Sequence, residues 1–249
     1  MSGHNKWSTI KHKKGRADAK RGKLFTKIIR EITVAARESG GDPDANPRLR
    51  AAIAAAKAAN MPADNMKRAI DRGTGDLDGV AYEEISFEGY GPGGVAVMLE
   101  LLTDNRNRTT PEIRHLFSKH GGNLGENGCV AWLFSKHGLI LVPRSDNDSE
   151  DEVMELVLEA GAEDLDTDDD EYFRITTNPD ELHQIKDQLE AGGLTVEAAQ
   201  MEMVPSSTTR LEGKKAQQMI RLMEAFEDHD DVQNVWANFD IDDELLAAE

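Results

Sequence analysis

The chain has 249 residues, 39% of them hydrophobic and 5% aromatic, enough for one to three domains with real cores. No stretch approaches the roughly 18 consecutive apolar residues of a membrane span, no apolar segment follows the basic start MSGHNKWSTIKHKKGR as a secretory signal would require, and the single cysteine, Cys129, allows neither an internal disulfide nor a cysteine-based zinc site, so the expectation is a soluble cytoplasmic protein. The net charge of −18 argues against a polyanion partner for the molecule as a whole, yet residues 1–75 hold 17 Lys+Arg against 7 Asp+Glu while the remainder holds 12 against 40, a split that a uniform acidic coat would not produce.

Residues 1–17 show no apolar periodicity and read as a mobile cationic arm in which Trp7 sits beside Lys6, with His4 and His12 nearby. Such an arm neutralises phosphates while its ring stacks on an unpaired base; the alternative is a solubilising tail whose Trp7 docks on the body. Residues 18–38 read as a helix with Asp18 as N-cap. Phe25, Ile28, Ile29, Ile32 and Ala36 form one face, and Lys20, Lys23, Lys27, Arg30 and Arg37 a cationic row turned outward. Asn46-Pro47 opens a second helix. A third, over 63–72, carries Met66 and Ile70 inward and Lys67, Arg68 and Arg72 outward, with Gly73 as its C′ residue. The nucleic-acid contacts expected from this region are Lys6, Trp7, Lys11, Lys13, Lys14, Arg16, Lys20, Arg21, Lys23, Lys27 and Arg30. No helix pair shows a recognition helix with base-reading residues in one row.

After the GTGDLDG linker the period changes to two. Strands are expected at 82–88, 95–104 and 129–134 (CVAWLF), with a helix starting at Thr109/Thr110-Pro111 between the last two. Residues 135–205 then read β-α-β-β-α-β, the complete order of a ferredoxin-like fold, and a helix (213–228) and strand (232–240) finish the interrupted unit. The expected class is α+β in three domains. These are a basic three-helix domain over 1–79, a discontinuous α/β domain over 80–134 plus 206–249, and an inserted ferredoxin-like α/β domain over 135–205.

Motifs of catalysis fail on inspection. Gly89-Tyr-Gly91-Pro-Gly93-Gly94 has the letters of a dinucleotide fingerprint but precedes a strand, so hairpin glycines are the reading. Gly22-Lys23 lacks the upstream glycine and the Ser/Thr of a phosphate loop. Asp164-x-Asp166-x-Asp168 lacks the glycine and the terminal glutamate of a calcium loop, and a solvated hairpin suits it better. The seven histidines are scattered without metal-ligand spacing, and Cys129 falls in an expected strand as a buried, inert thiol. No catalytic constellation, cofactor, metal or small-molecule substrate is expected. In the polar stretch 103–109, Arg106 and Arg108, with Arg114 and Lys119 on the following helix, form either a second phosphate contact or internal contacts, docking the basic domain's few acids or making salt bridges.

The stretches GHNKWSTIKHKKGRADAKRGKLFTKIIREITVAAR, NPRLRAAIAAAKAANMPADNMKRAIDRGTG, EGYGPGGVAVMLELLTDNRNRT and RHLFSKHGGNLGENGCVAWLF resemble the YebC/PmpR family, bacterial relatives of the mitochondrial translational activator of cytochrome oxidase subunit one. The resemblance spans essentially the whole chain and implies a helical N-terminal domain followed by two α/β domains. On function it implies two roles: a transcriptional regulator at promoter DNA, or a ribosome-associated factor that relieves stalling at proline-rich sequences. A cationic arm with one tryptophan suits irregular ribosomal RNA better than specific duplex readout, and the acidic body then faces basic ribosomal proteins.

Overall fold

The computed structural model describes residues 18–146 and 149–242, with side chains over 22–145 and 149–242. The expected arm, with Lys6, Trp7, Lys11, Lys13, Lys14 and Arg16, and the N-cap role of Asp18 lie outside what is described. Two compact units emerge: one runs from Trp132 to Ser207, and the other joins the residues up to Ala131 to those from Thr208.

Three helices open the larger unit: α1 (Asp18–Ser39), α2 (Pro47–Ala58) and α3 (Ala63–Thr74). Ile28, Ile32, Ala35 and Ala36 of α1 recur at helical spacing and bury against Leu49, Ala52 and Ala56 of α2, Met61 of the following link and Ala69 of α3. Asn46 starts α2 as a buried N-cap: its Oδ1 accepts the Leu49 amide at 3.0 Å, and its Nδ2 ties the end of α1 by donating to the Ala35 and Gly40 carbonyls. Helix α3 continues past its expected stop, and the left-handed terminal residue is Gly75 (φ 89°). Gly73 lies inside the helix, where a Cβ would stand 2.5 Å from the Thr33 carbonyl oxygen and 2.7 Å from the Ala36 Cβ. The glycine is set by helix–helix contact.

The sheet of the larger unit runs β3-β1-β2-β9, every described pairing antiparallel, with β1 at Glu83–Tyr90, β2 at Ala96–Thr103, β3 at Asn123–Leu124 and β9 at Val232–Ala237. The glycine-rich stretch is the β1–β2 turn, with Gly93 and Gly94 at φ 77° and 83°. Alternate residues of β2, Val97, Leu99 and Leu101, enter a core filled by α4 (Arg106–Lys119) and α7 (Gly213–Glu227), where Phe117 and Phe226 meet edge-on at 4.8 Å. A short parallel pair, β8 (Thr209–Arg210) with β10 (Phe239–Asp240), joins the last segment.

Two expected elements change. CVAWLF is not a strand, because the Glu88 carboxylate accepts the amides of Gly128 (2.7 Å), Val130 (2.7 Å) and Ala131 (2.8 Å) and so removes them from ladder pairing. The third strand is Asn123–Leu124, paired with Tyr90 and Gly89. Burial pushes Glu88 up in pKa, but these three amides outweigh it and hold the carboxyl below its ordinary value. Cys129 is half-buried, and burial together with the charge of Glu88 raises its thiol above the usual range, which leaves little thiolate for reaction. Helix α4 begins at Arg106, capped by Asn105, whose Oδ1 accepts the Arg108 amide at 3.1 Å; Pro111 is its sixth residue.

The smaller unit is β4 (Phe134–Pro143), α5 (Glu150–Ala160), β5 (Asp164–Asp166), β6 (Tyr172–Thr177), α6 (Leu182–Ala191) and β7 (Ala198–Pro205). Its sheet order, β5-β6-β4-β7 with antiparallel pairing, is that of a ferredoxin-like fold. Ile140, Val142, Val153, Val157, Phe173 and Ile185 are among its core residues. Asp166 accepts from Arg174 and from the Asp168 amide, so the Asp-x-Asp-x-Asp run is a hairpin.

Replacing Gly73 with alanine should weaken the helical layer by about 1–3 kcal/mol through overpacking, read as a lower urea midpoint at unchanged slope. An unchanged midpoint would mean that the α1–α3 contact gives way freely.

Candidate nucleic-acid interface

The cationic row of α1 is not the free outward face its periodicity suggests. Lys27 Nζ donates to the Glu227 carbonyl at 2.8 Å, and Lys23 Nζ pairs with Asp228 at 3.1 Å. Arg30 Nη1 reaches the Leu102 carbonyl (3.0 Å), the Asp230 carbonyl (2.8 Å) and Asp231 Oδ1 (2.5 Å), while its guanidinium stands 5.4 Å from the centre of the Tyr82 ring. Three of the expected contacts therefore bind α1 to the turn between α7 and β9. A helical period gives a side of the helix, and the neighbouring domain decides whether that side meets water. Lys20 and Arg21 lie on α1, but their side chains are outside the described set.

At the centre is Asp231, 1% exposed. Its Oδ2 accepts from Arg108 Nη2 and from the Thr109 hydroxyl, both at 2.6 Å, while Thr103 Oγ1 lies 2.7 Å from Thr109 Oγ1 and accepts the Asn105 amide at 3.0 Å. Burial pushes this carboxyl upward in pKa, and the bonds from Thr109, Arg108 and Arg30 more than reverse it, to about 2. Arg108 also pairs with Asp104 at 3.1 Å, and Arg106 reaches Glu83 at 3.4 Å. Of the two readings of the polar stretch, Arg106 and Arg108 take the internal one; Arg114 is exposed and has no ion pair among the described residues. Asp231 and His229 escaped sequence reasoning because Asp228, Asp230 and Asp231 form one acidic turn whose buried member has no compositional mark.

Glu112, His229 and Asp231 bring potential ligand atoms within 4.8 Å of one another. Their donors are already committed. His229 Nδ1 accepts the Asp231 amide at 3.1 Å, so Nε2 carries the proton and faces Glu112 at 3.2 Å, and both Asp231 oxygens hold cations or hydroxyls. The trio is a hydrogen-bonded network in which the histidine ring has no lone pair left for a metal.

A second cluster steadies the helical layer. Arg48 holds Glu31 with two bonds (2.7 and 3.2 Å), Glu38 at 2.8 Å and Glu84 at 3.2 Å, and its pKa is raised, first by the Glu31 bond. One guanidinium thereby offsets part of the charge of three acids near the basic region. Arg37, Lys57, Lys67, Arg68 and Arg72 stay exposed, without ion pairs among the described residues. Between Arg50 and Lys57 the outer side of α2 presents only small residues, Ala51, Ala54 and Ala55.

Asp231→Asn should destabilise the protein by several kcal/mol, since it leaves two guanidinium groups partly uncompensated. The folded pKa lies below the unfolded value near 3.8, so the stabilisation from this group is complete above pH ~4 and is lost as pH falls through about 2. In acid titrations followed by circular dichroism, the variant should lack that part of the pH dependence; an identical acid limb would place the linkage elsewhere.

Matches to known proteins cover both units. Residues 5–76 match a family model described as the TACO1/YebC protein N-terminal domain, and residues 82–239 one described as the TACO1/YebC second and third domain. Among curated relatives, a probable transcriptional regulatory protein of Desulforapulum autotrophicum is 60% identical over 248 residues, covering 100% of both chains. One from Syntrophobacter fumaroxidans is 61% identical, covering 99% of this chain and 98% of that one. The crystal structure of a conserved hypothetical protein from Aquifex aeolicus aligns with TM-score 0.84 and 52% identity over 92% of this chain and 94% of the other.

Proposed function

Since the chain belongs to the TACO1/YebC family, we propose that it is a nucleic-acid-binding regulator of gene expression that performs no reaction of its own. The carrying observation is the charge split: residues 1–75 hold 17 basic against 7 acidic residues inside a chain of net charge −18. The exposed Lys57, Lys67, Arg68 and Arg72 extend this charge over the helical layer, and Lys6, Lys11, Lys13, Lys14, Arg16, Lys20 and Arg21 are the proposed phosphate contacts of the segment before it, with Trp7 stacking on a base. Lys23, Lys27 and Arg30 leave that set and become the hold on α1.

The finer reading is a ribosome-associated translation factor that engages ribosomal RNA and relieves stalled elongation at proline-rich sequences. In its support, the outer face of α2 has alanines where a recognition helix has base-reading groups, and α3 interleaves Asp64 and Asp71 with its cations, which disfavours burial in a phosphate-lined groove. A small-residue face flanked by cations suits close approach to a folded RNA surface, read by shape. The second reading, promoter DNA, is favoured by the names of the relatives, which are called probable transcriptional regulatory proteins.

Crosslinking of the tagged protein to nucleic acid in growing cells separates the two. Enrichment of large-subunit ribosomal RNA, lost on Lys→Glu replacement at Lys11, Lys13 and Lys14, is the expected result. Discrete promoter peaks without ribosomal RNA would replace translation by transcription, and recovery of neither would remove both. In vitro, if about six phosphates of duplex DNA are engaged, log K should fall against log salt with a slope near −5. A flat salt response would defeat the electrostatic account.

A further inference from the structure

Beyond residue 75 the chain has twelve Lys and Arg residues, and seven of them fall on α4 and α7, helices of 14 and 15 residues. Arg106 and Arg108 are engaged by carboxylates, as described above. Lys119 on α4 and Lys214 and Arg221 on α7 are exposed and have no ion pair among the described residues. The two helices meet at this point: a Cβ at Gly121, just past the end of α4, would stand 3.7 Å from Gln218 Nε2. Gln218 lies one turn after Lys214 and one turn before Arg221, so the three share a side of α7 opposite the buried Ala216, Ile220 and Met223.

The neighbourhood is cationic enough to act on its own members. His120 is held below its ordinary pKa, first by burial and then by Lys119, Arg221 and His115. His115 also lines a cleft of about 740 Å³ together with Lys23 and Arg30 of α1 and the acids Glu112, Asp228, Asp230 and Asp231. The cationic surface at the α4–α7 junction is a patch of its own. It presents no exposed large hydrophobic residue on either helix, whereas protein interfaces are anchored by buried apolar or aromatic side chains. Point donors without an anchor match a sugar-phosphate backbone.

We propose that Lys119, Lys214 and Arg221 form a second phosphate-binding track, which takes the backbone of the same nucleic acid that the basic N-terminal region engages. The proposal rests on the nucleic-acid reading above, and the test keeps the two apart. A variant with Lys119→Gln, Lys214→Gln and Arg221→Gln loses three positive charges from the track. A control with Gln184→Glu, Gln188→Glu and Thr195→Glu makes the same change in net charge at exposed positions of the smaller unit. Binding of a fluorescein-labelled RNA stem-loop and of a labelled DNA duplex is followed by anisotropy over a series of KCl concentrations, with thermal melts confirming that both variants are folded.

The track variant should bind about tenfold more weakly, with a salt slope shallower by about two to three, while the control keeps the wild-type slope. A track variant with the wild-type affinity and slope would overturn the track and leave the general reading standing. Equal losses in the control would reduce the effect to overall charge and also overturn it. Displacement of both probes from the wild type by poly-glutamate, with weaker displacement from the track variant, would assign the surface to an acidic protein instead. Absence of salt-dependent binding by the wild type would remove the nucleic-acid reading itself, and the track with it.

Discussion

A carboxylate withdrawn from water holds this molecule in register. Asp231 has little solvation of its own, and two guanidinium groups and a hydroxyl replace the missing water. Arg30 comes from the first helix, Arg108 and Thr109 from the helix that covers the sheet, and the aspartate from the turn into the last central strand. No two of these elements are adjacent in sequence, so one side chain fixes the mutual position of three. The same turn supplies the Asp230 carbonyl to Arg30, and the neighbouring Asp228 pairs with Lys23. Around this point the helical layer and the first sheet behave as one unit.

This arrangement divides the positive charge into two kinds. Arg48 and Arg108 sit among several carboxylates each, Arg30 is held by one carboxylate and two backbone carbonyls, and all three are structural. Among the described residues, Lys57, Lys67, Arg68, Arg72, Lys119 and Arg221 face solvent without a carboxylate of their own. Surface ion pairs contribute little to stability, so cations that are left unpaired in a chain with so many acids are better explained by an external anion than by the fold. The negative charge is partitioned as well: the smaller unit carries a run from Ser145 to Glu171 with fourteen acids and no base.

Much of the fold could be read from the chain because its signals are local. The apolar stripe of α1, the Asn46-Pro47 start, the hairpin glycines and the βαββαβ order of residues 135–205 each depend on neighbours within a few positions. Errors arose where a distant residue took control. CVAWLF has the composition of a strand, but Glu88, some forty residues upstream, takes its amides. Gly73 has the look of a helix stop, yet α1 presses against it from outside. The row Lys23, Lys27 and Arg30 looked solvated because the turn that receives it lies about two hundred residues away. Charge and periodicity pick out a face, and only tertiary structure names what that face meets.

The insertion of the smaller unit sets an order of events during synthesis. Strands β1 and β2 leave the ribosome early, but β9 and Asp231 follow the whole of residues 132–207. Until the final turn has emerged, Arg30 lacks its carboxylate and α1 is held only by its apolar face on α2 and α3. For most of its own translation the chain therefore carries its first helix without the carboxylate that latches it, because Asp231 lies only eighteen residues from the end of the sequence.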